Sequence, residues 1–560
     1  MYFWKPLRGR TPGRTFLTQL SIQAAEESSA DEACAGEITE GNARVAELRG
    51  AEAADQRFVH LALALALLGL LPWWTDAWRI ARQGYDLLSV PYPTCATETY
   101  VYDGIRTVAE GRPLYPPIDG LPWALHIYHP LTYLPGGLIA RHREWSAEQL
   151  WLAGRIIPYA SAWGIVLLVA YYLYRRGQDW RPAALGAAMV VYYHSSTLTD
   201  FFRNRPETPA ILLALAGWML VQLRPRGWLL WAALCCAASI GFKQTMLAAP
   251  TAIVLELALE RRWRATAAFA LVTGTLVAAL VALCFTLGGS GYYQHAVEAM
   301  QSNPIRPWAA ARHFYPLLLR EHWGVLPAVC LVAVVWLLPR RRYRGLLVYL
   351  GVCLVLTSVA HGKVGADVNY HAELSLLMVL TAAAGIADMT AQRARLVAAP
   401  LAMLVVATWL AIAWHGPGWN HVSLNRAHPR PHGYERSPPF GNLASHIARY
   451  EPLRGQLLSL NNEIAVRVGD PAVFDWLALK LLVESGQLDF EQLLDLVRQQ
   501  HYRAIVLDRS FRDAWTERLE ATAYAHGYRR SLTDEHIVEL TVSPLPAPVL
   551  QPAPVPPRPL

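Results

Sequence analysis

The stretch Tyr92–Arg143, YPTCATETYVYDGIRTVAEGRPLYPPIDGLPWALHIYHPLTYLPGGLIARHR, decides how the rest of the chain is read. It lies between two strongly apolar segments, yet its charges, prolines and glycines bar it from a bilayer interior, where each backbone polar group needs a partner within the protein. Its pattern predicts a short amphipathic helix from Glu98 to Glu110. A Tyr/Pro-rich turn and two histidines, His126 and His129, follow. So much ionisable chemistry directly after the first apolar segment points to work done at a membrane surface.

Composition agrees. Only 17% of the 560 residues are charged and 54% are hydrophobic, against about 25% charged in soluble domains. That is the balance of an all-α polytopic membrane protein. The 21 Trp and 25 Tyr suit interfacial belts, where a ring with a polar edge is at home. The net charge of +7 does not indicate nucleic acid, because the arginines sit in short clusters between apolar segments. Cys235, Cys236, Cys284, Cys330 and Cys353 lie inside apolar runs without a CxxC pair, so neither a metal knuckle nor a disulfide framework is expected.

Outward from the opening stretch, apolar segments are expected at 58–75, 149–174, 182–196, 207–223, 227–241, 244–260, 264–287, 323–339, 344–360, 371–389 and 396–415. That makes about eleven spans, each of roughly 17–25 residues where fully formed. The clusters Arg175/Arg176/Arg181, Arg224/Arg226, Arg261/Arg262/Arg264, Arg340/Arg341/Arg342/Arg344 and Arg393/Arg395 fall on every second connection. With a cytoplasmic N-terminus this is the positive-inside pattern. Residues 1–57 read as a polar cytoplasmic extension, disordered and without a signal peptide. The first external loop, 76–148, is also basic, but loops beyond roughly 60 residues escape the charge rule. Residues 416–452 read as a linker, 453–541 as a small external α/β domain, and 542–560 as a Pro-rich tail.

On this topology the unusual polar residues share the external face. They are Glu98, His126 and His129, then Asp200, Arg203, Arg205 and Glu207 in TDFFRNRPE, Lys243 in GFKQT, and Lys363, Asn369, Tyr370 and Glu373 in HGKVGADVNYHAE. Ionisable groups near lipid depth are costly and usually line a cavity or substrate path. Plainer roles stand beside this one. Glu98 suits a helix N-terminus, Asp200 and Glu207 suit a structural cluster with Arg203 and Arg205, and Lys243 suits snorkelling to the interface. The spacing of His126 and His129 permits a divalent metal contact, although their aromatic neighbours favour stacking.

CATETYVYDGIRTVAEGRPLY, RNRPETPAILLALAG, GFKQTMLAAP and GADVNYHAELSLL, in this order, resemble segments of membrane glycosyltransferases of the GT-C fold. That superfamily includes protein O-mannosyltransferases and aminoarabinose transferases, and the resemblance spans roughly residues 58–415, with a weaker echo in LSLNNEIAVRVGDPAVFD. It implies a polyprenyl-phosphate sugar donor, a glycan, lipid or protein acceptor, and a bacterial plasma-membrane location. One departure concerns the loop acid: many relatives carry Asp-Glu or Asp there, whereas this chain has Thr97-Glu98.

The chemistry fits independently. A glycosidase needs two carboxylates because its leaving alkoxide must be protonated, but a lipid phosphate leaves without a proton. One general base on the acceptor hydroxyl then suffices, with inversion, and cations stabilise the developing phosphate charge. The expectation is Glu98 as base, with Lys243, Arg203, Arg205 and Lys363 as the pool for the phosphate. A transporter of an anionic lipid-linked substrate is the alternative, although no internal repeat of the transporter kind is present. A binding scaffold is the third reading.

Overall fold

The computed structural model describes residues 96–118, 125–177, 180–191, 202–301, 325–363 and 368–392. It also describes scattered positions at 78–88, Arg306, Trp308, and 448–542 with gaps. The expectations for 1–57, 58–75, Asp200 and 396–415 lie outside the described residues, as do those for most of the linker and tail.

The helices follow the apolar segments closely. They are α1 (Ala96–Ala109), α2 (Leu134–Arg143), α3 (Ala147–Gly177), α4 (Trp180–Met189), α5 (Glu207–Leu223) and α6 (Trp228–Phe242). Then come α7 (Ala248–Leu259), α8 (Trp263–Tyr293), α9 (Val325–Leu337), α10 (Arg344–Ala360) and α11 (Ala372–Gln392). The α5–α6 hairpin turns where its sequence allows: Arg224 takes a left-handed φ of 49° and Gly227 one of 74°. In α8 the helix kinks at Gly289, whose φ of 57° costs little only without a Cβ.

Helix length sorts the described apolar segments into two groups. Among the described residues, four helices are long and apolar enough to cross a membrane: Gln149–Gly177, Trp263–Glu298, Arg341–Ala360 and Ala372–Met389. Four more are apolar but only 10–17 residues long. At about 1.5 Å per residue, a 12-residue helix such as α7 covers about 18 Å of a roughly 30 Å hydrocarbon core. The described helices follow the expected segments.

The core is packed through aromatic contacts. Trp218 is fully buried, with Tyr172 at 5.2 Å on one side and Tyr349 at 5.6 Å on the other, joining α5 to α3 and α10. The helices alternate between two chemically different ends. At one, Arg176 donates to Gln222 at 3.0 Å, Gln222 donates to Glu256 at 2.8 Å, Arg224 pairs with Glu260, and Arg340 meets Asp388 at 2.5 Å. With Arg262 3.9 Å from Glu260, four of the five sequence clusters of arginine contribute to this end. The opposite end carries the loop of residues 96–133.

In that loop the helix expected from Glu98 to Glu110 is present as α1, and its polar face is enclosed: from Glu98 to Val108 every residue is buried, Asp103 and Arg106 included. Two glycines make the packing possible, since a Cβ at Gly104 would lie 2.3 Å from the Tyr133 ring and one at Gly137 2.5 Å from Val108.

Beyond the helices stands a four-stranded sheet of β1 (Leu457–Ser459), β2 (Ala504–Asp508), β3 (Arg529–Thr533) and β4 (Ile537–Thr541), in the order β1-β2-β4-β3. The first pair is parallel and the others antiparallel. Helices α12 (Phe490–Arg498) and α13 (Ala514–Ala525) cover it, α12 burying Phe490, Leu493, Leu494 and Val497. Ile118 and Leu125 of the loop, with Ala299, join the same apolar cluster. The sheet therefore packs against the loop end.

Candidate active site

At the start of α1, Glu98 is held on several sides. Arg155 Nε and an Arg155 terminal nitrogen donate to its two oxygens at 3.0 Å each, and the Asn204 backbone N–H donates at 2.7 Å. Both side chains are wholly inaccessible. Arg155 lies inside α3, and its neighbour Gly154 lets Asn204 approach, since a Cβ there would sit 2.3 Å from Asn204 Nδ2. Burial alone would raise the Glu98 pKa, but Arg155, the charge of Arg203 and the Asn204 amide more than reverse this and bring it to about 2. A carboxylate so fixed is a weak proton acceptor.

The loop histidines are also committed. His126 faces acceptors with both ring nitrogens, Nδ1 towards the Leu114 carbonyl and Nε2 towards Asp103 Oδ2 at 3.2 Å. Asp103 accepts from Arg106 as well, at 2.6 Å, and these partners outweigh burial and lower its pKa. The His126 backbone N–H donates to His295 Nδ1 at 2.9 Å, so the His295 proton resides on Nε2 and donates to the Pro116 carbonyl at 2.6 Å. His129 Nε2 meets the Tyr292 hydroxyl at 3.0 Å, and burial lowers its pKa, favouring the neutral ring. These contacts pin the loop to the kinked end of α8. No group of three or more His, Cys, Asp or Glu able to hold a metal ion is found among the described residues.

A second ionic centre forms where α5 begins and α6 ends. Lys243 Nζ donates to Glu207 Oε1 at 2.8 Å, Arg205 Nε lies 3.6 Å from Glu207 Oε2, and the Tyr370 ring lies under Lys243 with its centroid 4.7 Å away. The expected Arg205–Glu207 pairing is thus present, while Lys243 turns inward to Glu207 rather than snorkelling. Tyr128 adjoins the centre, and burial, followed by the charge of Glu207, keeps its phenol strongly protonated. Gln244 donates to the Ile127 carbonyl at 2.9 Å and Thr132 to the Phe242 carbonyl at 2.6 Å, fastening this corner to the loop.

The structure describes the remaining expected residues unevenly. Glu373 accepts from the Tyr349 hydroxyl at 2.5 Å inside the bundle, one turn below Tyr370. Lys363 is half-buried beyond α10, and burial lowers its pKa. Asn369 lies in the short turn Val368–His371, whose last residue meets the His361 ring at 4.8 Å with a tilt of 39°.

No protein-family model and no curated protein matches the chain. Solved structures do. ArnT from Cupriavidus metallidurans bound to undecaprenyl phosphate superposes with a TM-score of 0.53 at 12% identity, over 87% of this chain and 98% of that one. Its apo state gives 0.54 at 13%, over 88% and 98%. The apo oligosaccharyltransferase of Archaeoglobus fulgidus gives 0.46 at 12%, over 78% of this chain and 69% of that one. The chain has the GT-C fold.

Set in the GT-C fold, the residues overlooked in the sequence are those that hold the others. Arg155 is the clearest. It is the one charge in the middle of an otherwise apolar segment, and such a charge signals a buried partner. Asp103, Tyr349 and Tyr292 left no comparable trace, because His126, Glu373 and His129 stand 23, 24 and 163 positions away.

Proposed function

We propose that this protein is an integral-membrane glycosyltransferase that moves a sugar from a polyprenyl-phosphate donor to an acceptor hydroxyl with inversion. In this reading the loop end faces the outside of a bacterial plasma membrane, the chain crosses the membrane about eleven times, and the sheet unit takes part in acceptor choice. The observation that carries the proposal is the Lys243–Glu207–Arg205 centre with Tyr370 and Tyr128 at the loop end of a GT-C bundle, with Lys243, Glu207 and Tyr128 buried. Two cations on one carboxylate leave a positive surplus suited to a lipid phosphate. The ArnT structure with undecaprenyl phosphate bound supports a donor of that class.

The donor's tail stays in the bilayer while its phosphate reaches Lys243 and Arg205, with Arg203 and Lys363 as further cations of the same end. The phosphate leaves without needing a proton, so the protein supplies positive charge and one base. Glu98, the acid expected from sequence to be that base, has its carboxylate fixed by Arg155 and Asn204. Its part here is to hold α1, α3 and the 203–207 turn in one geometry. Asp200 and Asn369 are proposed to line the site, and Glu373 to support it from below.

The test is turnover of a panel of radiolabelled polyprenyl-phosphate sugars by the purified full-length protein in lipid. Transfer or release of sugar by the wild type is expected, with binding of undecaprenyl phosphate that weakens at least roughly tenfold in Lys243→Gln, the scale of one charge-assisted contact. Transmembrane movement of the intact donor without transfer would replace this reading with transport.

A further inference from the structure

We infer that Glu207 is the general base, and that the donor phosphate unmasks it by taking over its cations. The inference rests on the glycosyl-transfer reading and names the group that accepts the proton within it.

In the resting centre Glu207 is the shared counter-ion of Lys243 and Arg205. It stands in the first turn of α5, where the helix terminus favours an anion, and its backbone is fixed by the Arg203–Pro206 turn. The two contacts differ in quality. Lys243 is at hydrogen-bond distance, 2.8 Å, whereas Arg205 at 3.6 Å is beyond it. Neither is the two-pronged arginine grip that holds Glu98. A phosphate that bridges the Lys243 ammonium and Arg205 guanidinium therefore competes with one hydrogen bond and one longer ionic contact to Glu207.

Charge balance follows the reaction from end to end. A phosphodiester donor brings one negative charge, so two cations, Glu207 and donor sum to zero. The acceptor O–H then gives its proton to a Glu207 oxygen, and the acceptor oxygen forms the new bond to the anomeric carbon. The bond from that carbon to the phosphate oxygen breaks, its electron pair leaving with polyprenyl phosphate, which now carries two negative charges. Glu207 has become neutral, so the sum is again zero. A buried site that stays neutral through proton transfer and departure avoids the desolvation cost of a net charge. Tyr128, adjoining the centre, contributes no charge of its own while its buried phenol stays protonated.

Glu207→Gln removes both the base and the competing anion. The two losses act in opposite directions: binding of undecaprenyl phosphate is expected to hold or tighten by a few-fold, while kcat falls at least about 100-fold. A merely structural pair would lose binding and turnover together, and that result would overturn the inference. So would transfer within about tenfold of wild type. Glu207→Asp, which keeps the charge but withdraws the oxygen, is expected to bind donor normally with an intermediate kcat. It carries the test if the Gln variant fails to fold. A wild type that neither binds nor turns over any donor sinks the glycosyl-transfer reading itself; an active wild type with an active Glu207→Gln sinks this inference alone.

Discussion

Glu98 and Glu207 are both buried, both lie at the loop end and both face basic side chains, yet they are held in different ways. Glu98 receives two nitrogens of one planar guanidinium and a backbone amide, all at 2.7–3.0 Å. Glu207 receives one ammonium at 2.8 Å and one guanidinium nitrogen at 3.6 Å, from two different segments. The planar fork of arginine fixes direction as well as distance; an ammonium is a point charge that moves easily between oxygens. The first arrangement makes a lock joining α1, α3 and the segment before α5. The second makes a seat that an anionic ligand can take.

The largest effect tests the lock. Arg155→Met leaves the Glu98 carboxylate buried without its partner, a loss of about 3–5 kcal/mol, so the thermal midpoint in detergent or nanodiscs is expected to collapse. Lys243→Met should lower the midpoint far less, because Arg205 remains beside Glu207. Equal losses in the two variants would erase the distinction. Acid offers a slightly smaller test. Burial would raise the Glu98 pKa, but its partners hold it at about 2, below the ordinary 4.5. A depressed pKa contributes stability in full above the unfolded value and loses it as pH falls from about 4.5 to about 2, in total on the order of 3 kcal/mol. Thermal midpoints recorded from pH 5 to pH 2.5 should fall more steeply for wild type than for Glu98→Gln. Parallel curves would remove Glu98 from the acid transition.

Different physics explains what the sequence disclosed. Hydropathy and the arginine spacing placed α3, α5 and α10 within a few residues, because apolar length and interfacial charge are local properties. Span count was less legible, since 12 residues of α7 read as apolar whether or not they reach across. The candidate site was visible as a set of residue types at segment ends, and the structure joins Arg205, Glu207, Lys243 and Tyr370 into one centre. Which carboxylate is locked and which is exchangeable was not visible, because that depends on Arg155, 57 positions from Glu98. The buried face of α1 was hidden likewise: its charges read as solvent-facing until Asp103 meets His126, 23 positions away. In the sheet unit, the apolar run AIVLD forms β2, while the polar strand Arg529–Thr533 carries no comparable signal.

The two smallest effects separate the lock from the seat most finely. Gly154→Ala sets a methyl 2.3 Å from Asn204 Nδ2, so Asn204 must shift and its amide must move on Glu98. Crowding of this kind costs about 1–3 kcal/mol, and the expected result is a lowered midpoint with donor affinity nearly intact. Tyr370→Leu acts on the other side. It removes the ring 4.7 Å from Lys243 Nζ, a contact worth about 0.5–1 kcal/mol where solvent reaches it and about 2 when dry. Because the ring braces the cation and not the carboxylate, undecaprenyl phosphate binding should weaken by roughly 2–30-fold while kcat at saturating donor stays near wild type. A fall in kcat beyond about 100-fold with affinity unchanged would place the Tyr370 ring against the reacting sugar rather than under Lys243. The seat would then extend from the phosphate to the anomeric carbon.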